Sequence, residues 1–222
     1  MTAEKDAALE KTELSFIIPD LRGDIADEIG LILETSEGWI NGRLYMDRFS
    51  ITGNGSFTFT PALSAVEVGE VLPFASTCCR TELSKDALTV ATEKDGRIFT
   101  GNYYAKDPAL TAVVIPISGA CELALCARGA LDLYTLGFDG RGNAAVTRRG
   151  EEDKVLASCP FDVEYGREYT LFARAEKGRL SFALNGSTLL EVCDAALERG
   201  MVGFAAEKGE FKVLFANCEF EV

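Results

Sequence analysis

The chain has 222 residues, of which 47% are hydrophobic, so it can build one large β domain or two small ones and is not a disordered chain. The formal net charge is −13. Such a surface repels phosphate backbones and anionic lipid, so we expect no nucleic-acid partner and no membrane partner. Histidine is absent, which excludes Ser-His-Asp and Cys-His catalysis. Glycosidase chemistry stays open because it needs only two carboxylates.

Cysteine usage indicates a reducing compartment. There are seven cysteines, and an odd number without regular spacing is not typical of a disulfide framework. Cys126, Cys193 and Cys218 stand in apolar, strand-like surroundings that suit free thiols. Residues 1–11 lack the apolar core of a signal peptide, and no apolar run is long enough for a membrane helix. We therefore expect a cytoplasmic protein.

The N-terminal part predicts a small β unit. Residues 1–13 are interpreted as a frayed or helical lead-in. Three strands are then predicted, at residues 14–18, 29–35 and 43–52. Residues 53–69 are rich in Gly, Ser, Thr and Pro, so they are interpreted as a linker. Residues 14–69 would then form a partial β-sandwich unit together with this linker.

The remainder, residues 70–222, predicts a larger all-β domain. Apolar runs recur roughly every ten residues with turn residues between them. Leu180, Phe182 and Leu184 alternate with less apolar residues, and Asn185-Gly186 is a type I′ hairpin signal. This spacing predicts an antiparallel sandwich or jelly roll.

The C-terminal third carries a resemblance. Its segments RLSFALNGSTLLEVCD and GMVGFAAEKGEFKVLFANCEFEV resemble the concanavalin A-like jelly-roll sheets of laminin-G-type and 3-keto-disaccharide hydrolase-type domains. In those sheets the Asn-Gly hairpin, the following aspartate (here Asp194) and the G-x-V-G-F strand recur. The resemblance implies a concanavalin A-like fold and says little about function.

A second resemblance covers residues 14–222. The segments EIGLILETSEGWINGRLYMDRFSITG, DGRIFTGNYYAKDPALTAVVIP and LCARGALDLYTLGFDG are similar to the C-terminal region of bacterial ADP-ribosylglycohydrolase-family proteins. The catalytic part of that family is a helical domain with a two-magnesium site, and no segment of this sequence matches it. The resemblance therefore implies either a separated C-terminal portion or an open reading frame that begins late, and the hydrolase activity is not carried over.

The sequence also offers candidate ligand-binding residues. Sugar-binding sandwiches combine aromatic faces, on which sugar C–H groups stack, with a few polar groups that bind hydroxyls. The predicted ligand-binding residues are Tyr103, Tyr104, Arg128, Tyr134, Asp139 and Trp39. The resembled family has a similar A-R-x-G…Y pattern at Arg128 and Tyr134. The competing interpretation is packing, because adjacent tyrosines in one strand point to opposite faces and one would lie in the core.

These features favour a non-catalytic accessory module of an ADP-ribosylglycohydrolase-like protein that recognises a glycan or a protein. Two alternatives stay open, a glycoside-acting hydrolase of the 3-keto-disaccharide type and a structural or oligomerising unit. No cofactor is expected, although Asp24, Asp27 and Glu28 form an acidic loop of the kind that binds calcium. An incomplete first sandwich would leave strand edges unpaired, which predicts a homodimer. The sequence does not identify the ligand.

Overall fold

The structure is a computed structural model that describes Ser15, residues 53–61 and residues 74–221. The two longer ranges belong to one compact unit, Ser50–Val222. The predicted lead-in, the three strands predicted before residue 53, the acidic loop and Trp39 lie outside the described residues, apart from Ser15 alone. In the described ranges no helix is long and apolar enough to cross a membrane.

The described residues form fifteen strands. In chain order they are β1 Asn54–Phe59, β2 Ala75–Thr77, β3 Arg80–Leu83, β4 Leu88–Ala91, β5 Asp95–Thr100, β6 Lys106–Ser118, β7 Cys121–Ala127, β8 Leu133–Phe138, β9 Asn143–Arg149, β10 Lys154–Pro160, β11 Tyr169–Glu176, β12 Arg179–Leu184, β13 Ser187–Cys193, β14 Met201–Glu207 and β15 Glu210–Glu221.

These strands make two antiparallel sheets. The eight-stranded sheet has the order β13-β12-β11-β6-β15-β4-β3, with β1 added beside β15. The seven-stranded sheet has the order β10-β9-β8-β7-β14-β5-β2. The chain repeatedly crosses from one sheet to the other, for example from β13 to β14 and back to β15. This arrangement is a jelly-roll sandwich, so the predicted all-β fold class is confirmed.

Side-chain alternation explains why the sheets pack face to face. In β11, every second residue from Tyr169 to Ala175 is buried, and in β12 Leu180 and Phe182 are buried. The largest fully buried apolar side chains come from both sheets and include Phe138, Phe182, Phe204 and Phe211. Burying one such side chain contributes about 1.5–3 kcal/mol, which makes this core the main source of stability.

The structure describes residues 53–61 of the predicted linker, and this segment contains strand β1. Within that segment β1 pairs in register with the second half of β15. Phe59 lies in the core, and Phe57 packs against it. The glycines, serines and threonines suggested a linker, but the alternation of the two phenylalanines is strand patterning, and it places this segment in the sandwich.

Candidate functional site

One end of the sandwich brings together several of the residues predicted from the sequence. At this end β5 and β7 finish and β6 and β14 begin. We call it the tyrosine end and define it by Tyr103, Tyr104, Arg128 and Arg199. The opposite end holds the turns that join β4 to β5 and β14 to β15.

A tight turn presents the two tyrosines. β5 stops before Gly101, whose φ of +90° favours glycine. The Tyr104 backbone N–H donates to the Asn102 side-chain oxygen at 2.8 Å, and the Ala105 N–H donates to the Asn102 carbonyl at 3.0 Å. Asparagine commonly closes turns in this way. Tyr103 and Tyr104 therefore lie in a turn, whereas the sequence predicted a strand.

Because the pair lies in a turn, neither ring is forced into the core. Tyr103 is 42% exposed and Tyr104 is 60% exposed. Their ring centroids are 5.4 Å apart, and the ring planes meet at 80°. This edge-to-face contact holds two large aromatic surfaces next to each other in solvent.

Two arginines lie at the same end of the sandwich as the rings. The Arg199 guanidinium lies 5.3 Å from the Tyr104 ring centroid. Its backbone is fixed because Lys106 and Arg199 form a β-bridge, and the next residue, Gly200, donates its N–H to the Ala105 carbonyl at 2.9 Å. Arg128 is exposed and directly follows β7. The last residue of β7, Ala127, pairs with the first residue of β14, Met201. Arg128 and Arg199 therefore belong to neighbouring backbone segments.

Tyr134 was predicted to bind a ligand, but the structure places it in the core. Its ring is fully buried in the core, so it offers no surface to a ligand. Its hydroxyl donates to Asp194 Oδ1 at 2.6 Å and accepts the Leu197 backbone N–H at 3.1 Å. Tyr134 belongs to β8 of the seven-stranded sheet, and Asp194 directly follows β13 of the other sheet. The hydrogen bond therefore joins the two sheets.

Further contacts fix Asp194. Its carboxylate accepts two hydrogen bonds from Arg148, at 2.9 and 3.1 Å, and one from the Ala196 backbone N–H at 3.0 Å. Burial acts to raise the pKa of Asp194, but the hydrogen bonds from Tyr134, Ala196 and Arg148 outweigh it and lower that pKa. Asp194 thus stays charged and anchors the loop 194–200, which carries Arg199. Tyr134 is a positioning residue for the tyrosine end.

A cavity of about 360 Å³ adjoins the loop. Its charged lining residues are Lys106, Asp107, Lys177, Asp194 and Glu198. Asp107 accepts the Lys177 backbone N–H through its carboxylate at 2.9 Å. The cavity lies beside the loop that carries Arg199, and it offers both acidic and basic groups to a ligand.

Asp139 serves a turn at the opposite end. Its carboxylate accepts the backbone N–H groups of Arg141 at 2.7 Å and Asn143 at 3.0 Å, and the Asn143 side-chain amide at 2.9 Å. These bonds close the turn between β8 and β9. The structure thus separates Asp139 from the tyrosines with which the sequence grouped it.

A buried ion pair lies on the side of the seven-stranded sheet that faces away from the main core. Glu122 is 1% exposed and contacts Arg149 Nη2 at 2.8 Å. The other oxygen of Glu122 accepts the Thr135 hydroxyl at 2.9 Å. Burial raises the pKa of Glu122, and the positive charge of Arg149 opposes this shift. A raised pKa suits the acid of a glycosidase, but here both oxygens are bonded and enclosed, which supports a structural role.

No protein-family model and no curated protein sequence matches this chain. Solved structures do match its fold. The carbohydrate-binding module CBM66 from Bacillus subtilis has a TM-score of 0.59 at 13% identity, over 64% of this chain and 91% of that one. A protein of unknown function with a galectin-like fold, also from Bacillus subtilis, has a TM-score of 0.58 at 14% identity, over 78% and 99%. The exoplasmic/lumenal domain of VIP36 in a Ca2+/Man-bound form has a TM-score of 0.57 at 11% identity, over 72% and 88%.

These likenesses define the class of the protein. The described residues have the jelly-roll β-sandwich fold that carbohydrate-binding modules and galectin-like proteins share. At identities this low, the likeness shows the fold and leaves the function to the chemistry of the site.

Removing the Tyr134 hydroxyl should weaken the anchor of the loop 194–200. We expect Tyr134→Phe to lower the free energy of unfolding at pH 7 by about 1–3 kcal/mol, because the Asp194 carboxylate and the Leu197 N–H lose a buried partner. Since the native pKa of Asp194 is lowered, the stability from this carboxylate is present above about pH 4 and lost as the pH falls. The difference between wild type and variant should therefore shrink at pH 3.

Urea unfolding followed at pH 7 and pH 3 measures both effects. Tyr165→Phe is the matched control, since Tyr165 is 50% exposed and its hydroxyl makes one long hydrogen bond, at 3.3 Å, to Gly119. Equal stability of Tyr134→Phe and this control at pH 7 would contradict the anchoring role.

A second prediction concerns the buried ion pair between Glu122 and Arg149. Arg149→Met leaves the Glu122 carboxylate without its cation, which we expect to cost about 3–5 kcal/mol of unfolding free energy at pH 8. Burial raises the native pKa of Glu122 above its unfolded value. At low pH the Glu122 carboxyl is protonated, and this neutral form is tolerated in the buried site. As the pH rises the carboxyl becomes charged, and the free energy of unfolding falls. The cost should accordingly be smaller at pH 5.

Thermal unfolding at pH 5 and pH 8 tests the sign of this dependence. The double variant Glu122→Gln/Arg149→Met removes both charges and should recover most of the loss. A penalty that is independent of pH, or no recovery in the double variant, would show that lost packing explains the result.

Proposed function

We propose that this chain is a glycan-binding module and that Tyr103 and Tyr104 form its sugar-contacting surface. The observation that carries the proposal is the exposed aromatic pair at the tyrosine end, where Arg199 stacks on Tyr104 and Arg128 is also exposed. Sugar C–H faces stack on aromatic rings, and sugar hydroxyls need hydrogen-bond donors and acceptors close to those rings. Arg128 and Arg199 supply the donors.

The carbohydrate-related neighbours support the same function. CBM66 is a carbohydrate-binding module, and VIP36 was solved in a Ca2+/Man-bound form. Both share the sandwich with this chain at low identity, so they support a glycan ligand without identifying it. A protein ligand is the alternative partner for the same exposed surface.

The proposed biological setting rests on the sequence resemblance. We propose an accessory, non-catalytic role beside an ADP-ribosylglycohydrolase-like enzyme, in the cytoplasm. A hydrolase of the 3-keto-disaccharide type and a purely structural unit stay as alternatives. Calcium binding is proposed only for the acidic loop of Asp24, Asp27 and Glu28, and it is tested by repeating ligand titrations with a chelator.

The sugar-contacting surface is tested by substitution. We expect Tyr103→Ala and Tyr104→Ala each to weaken binding of the best glycan at least about tenfold, because each removes an exposed stacking surface worth about 1.4 kcal/mol. The glycan is first selected by thermal shift against simple and complex glycans and ADP-ribose, and affinities are then measured by isothermal titration calorimetry.

Tyr165→Ala is the control, because this tyrosine is also half exposed but lies near Gly119, at the opposite end. Equal losses in all three variants would show that the tyrosine end is not the binding surface. The absence of a thermal shift with every glycan would overturn the glycan-binding proposal and favour the structural alternative.

The predicted homodimer is tested independently. We expect size-exclusion chromatography with light scattering to give twice the mass of one chain at high protein concentration. A single-chain mass across the concentration range would contradict the prediction without affecting the glycan-binding proposal.

A further inference from the structure

The arginines of the described ranges divide into two groups. Residues 53–61 and 74–221 contain ten arginines. Seven of them form ion pairs with carboxylates, namely Arg97, Arg141, Arg148, Arg149, Arg167, Arg174 and Arg179. Arg80, Arg128 and Arg199 form none within the part of the chain that the structure describes. In a protein with a net charge of −13, an arginine without a carboxylate partner is a feature that a ligand can explain.

Two of these three unpaired arginines lie at the tyrosine end. Arg199 is held over the Tyr104 ring, with its backbone bridged to Lys106. Stacking on a ring leaves the edge of the guanidinium, where its N–H donors lie, free to contact a ligand. Arg128 leaves the neighbouring backbone segment and is also exposed. Both arginines therefore lie at the end of the sandwich that carries the two tyrosines, and Arg199 contacts the Tyr104 ring.

Two of the nearby carboxylates are engaged with the protein itself. Asp107 accepts the Lys177 N–H, and Asp194 accepts hydrogen bonds from Tyr134, Ala196 and Arg148. The ammonium groups of Lys106 and Lys177 have no ion pair within the described ranges, and Glu198 is the remaining charged group of the cavity lining. Asp107 and Asp194 are thus satisfied internally, whereas Glu198 and Asp132, whose backbone carbonyl accepts the Arg128 N–H at 2.9 Å, form no ion pair within the described ranges.

We propose that the tyrosine end selects an acidic saccharide, whose carboxylate is bound by Arg128 and Arg199 while its ring stacks on Tyr103 and Tyr104. This inference rests on the proposed glycan-binding function and adds the chemical class of the glycan. A guanidinium binds a carboxylate through two parallel hydrogen bonds, which gives directional preference as well as charge. Since charges are screened over about 8 Å at physiological ionic strength, the local arginines outweigh the distant negative surface.

The experiment compares two forms of one saccharide. Oligogalacturonate and its methyl ester have the same sugar ring, but only the first carries a free carboxylate. We expect wild type to bind the acid at least about tenfold more tightly than the ester in calorimetry at 0.15 M salt. Arg128→Ala and Arg199→Ala should each reduce the affinity for the acid about tenfold or more and leave binding of the ester within about twofold.

Matched controls separate charge from geometry. Arg80→Ala removes an exposed arginine without an ion pair at the opposite end, so it should leave both affinities unchanged. Arg199→Lys keeps the charge but loses the paired N–H donors. We therefore expect it to retain less than half of the wild-type free-energy difference between binding of the acid and of the ester. Tyr104→Ala should weaken the acid and the ester alike.

The outcomes are distinct. Equal binding of acid and ester by wild type would overturn the acidic-saccharide inference and leave glycan binding intact. A sulfated oligosaccharide of the same charge that binds as tightly as the acid would overturn selectivity for a carboxylate. An equal loss in Arg80→Ala would show that net charge, and not this site, sets the preference. Failure of acid, ester and sulfated saccharide alike, together with a failed glycan screen, would overturn the proposed function as well.

Discussion

The hydrogen bond between Tyr134 and Asp194 is the constraint on which the tyrosine end of the molecule depends. A phenol buried in an apolar core costs several kcal/mol unless its hydroxyl finds a partner. The partner here is a charged carboxylate, 2.6 Å away, that directly follows the last strand of the opposite sheet. The bond therefore fixes the point at which the chain leaves β13 and crosses to β14.

The geometry of the site follows from that point. Because Asp194 and Leu197 are both held by Tyr134, the loop 194–200 has a fixed path along the edge of the sandwich. That path places Arg199 over Tyr104 and Gly200 against Ala105. A fully buried core residue thus positions the loop whose Arg199 guanidinium contacts the exposed Tyr104 ring. This is the general advantage of placing recognition residues on short loops of a rigid scaffold.

The sequence predicted the fold well because local patterns encode it. Alternating burial in β11 and β12 and the Asn185-Gly186 hairpin needed no long-range information. Asn54–Phe59 was interpreted as part of a linker because Gly, Ser and Thr occur in linkers as well as in edge strands, and only pairing with β15 separates the two. The predicted unit before residue 53 stays a prediction.

The site was harder to predict because it depends on the register in which strands distant in the sequence pair with each other. Tyr103, Tyr104 and Arg128 were selected for their chemistry, and the structure places them at one end. Arg199 was missed because its neighbour Tyr104 is remote in sequence, and only the pairing of β14 with β7 and β5 brings them together. A basic residue directly before the G-x-V-G-F strand was the available signal. Tyr134 and Asp139 were selected for the same chemistry, but their partners proved to be internal.

The contrast between local and global charge limits what the site can bind. At the tyrosine end two unpaired arginines attract a carboxylate over a distance of about one Debye length. Beyond that distance a ligand meets a surface whose formal net charge is −13. A short acidic saccharide places its charge only at the arginines, whereas a long polyanion would have to lay further charges along a repelling surface. The proposed preference for a small acidic sugar over a polyanion such as nucleic acid therefore follows from the confinement of this attraction to one end of the fold.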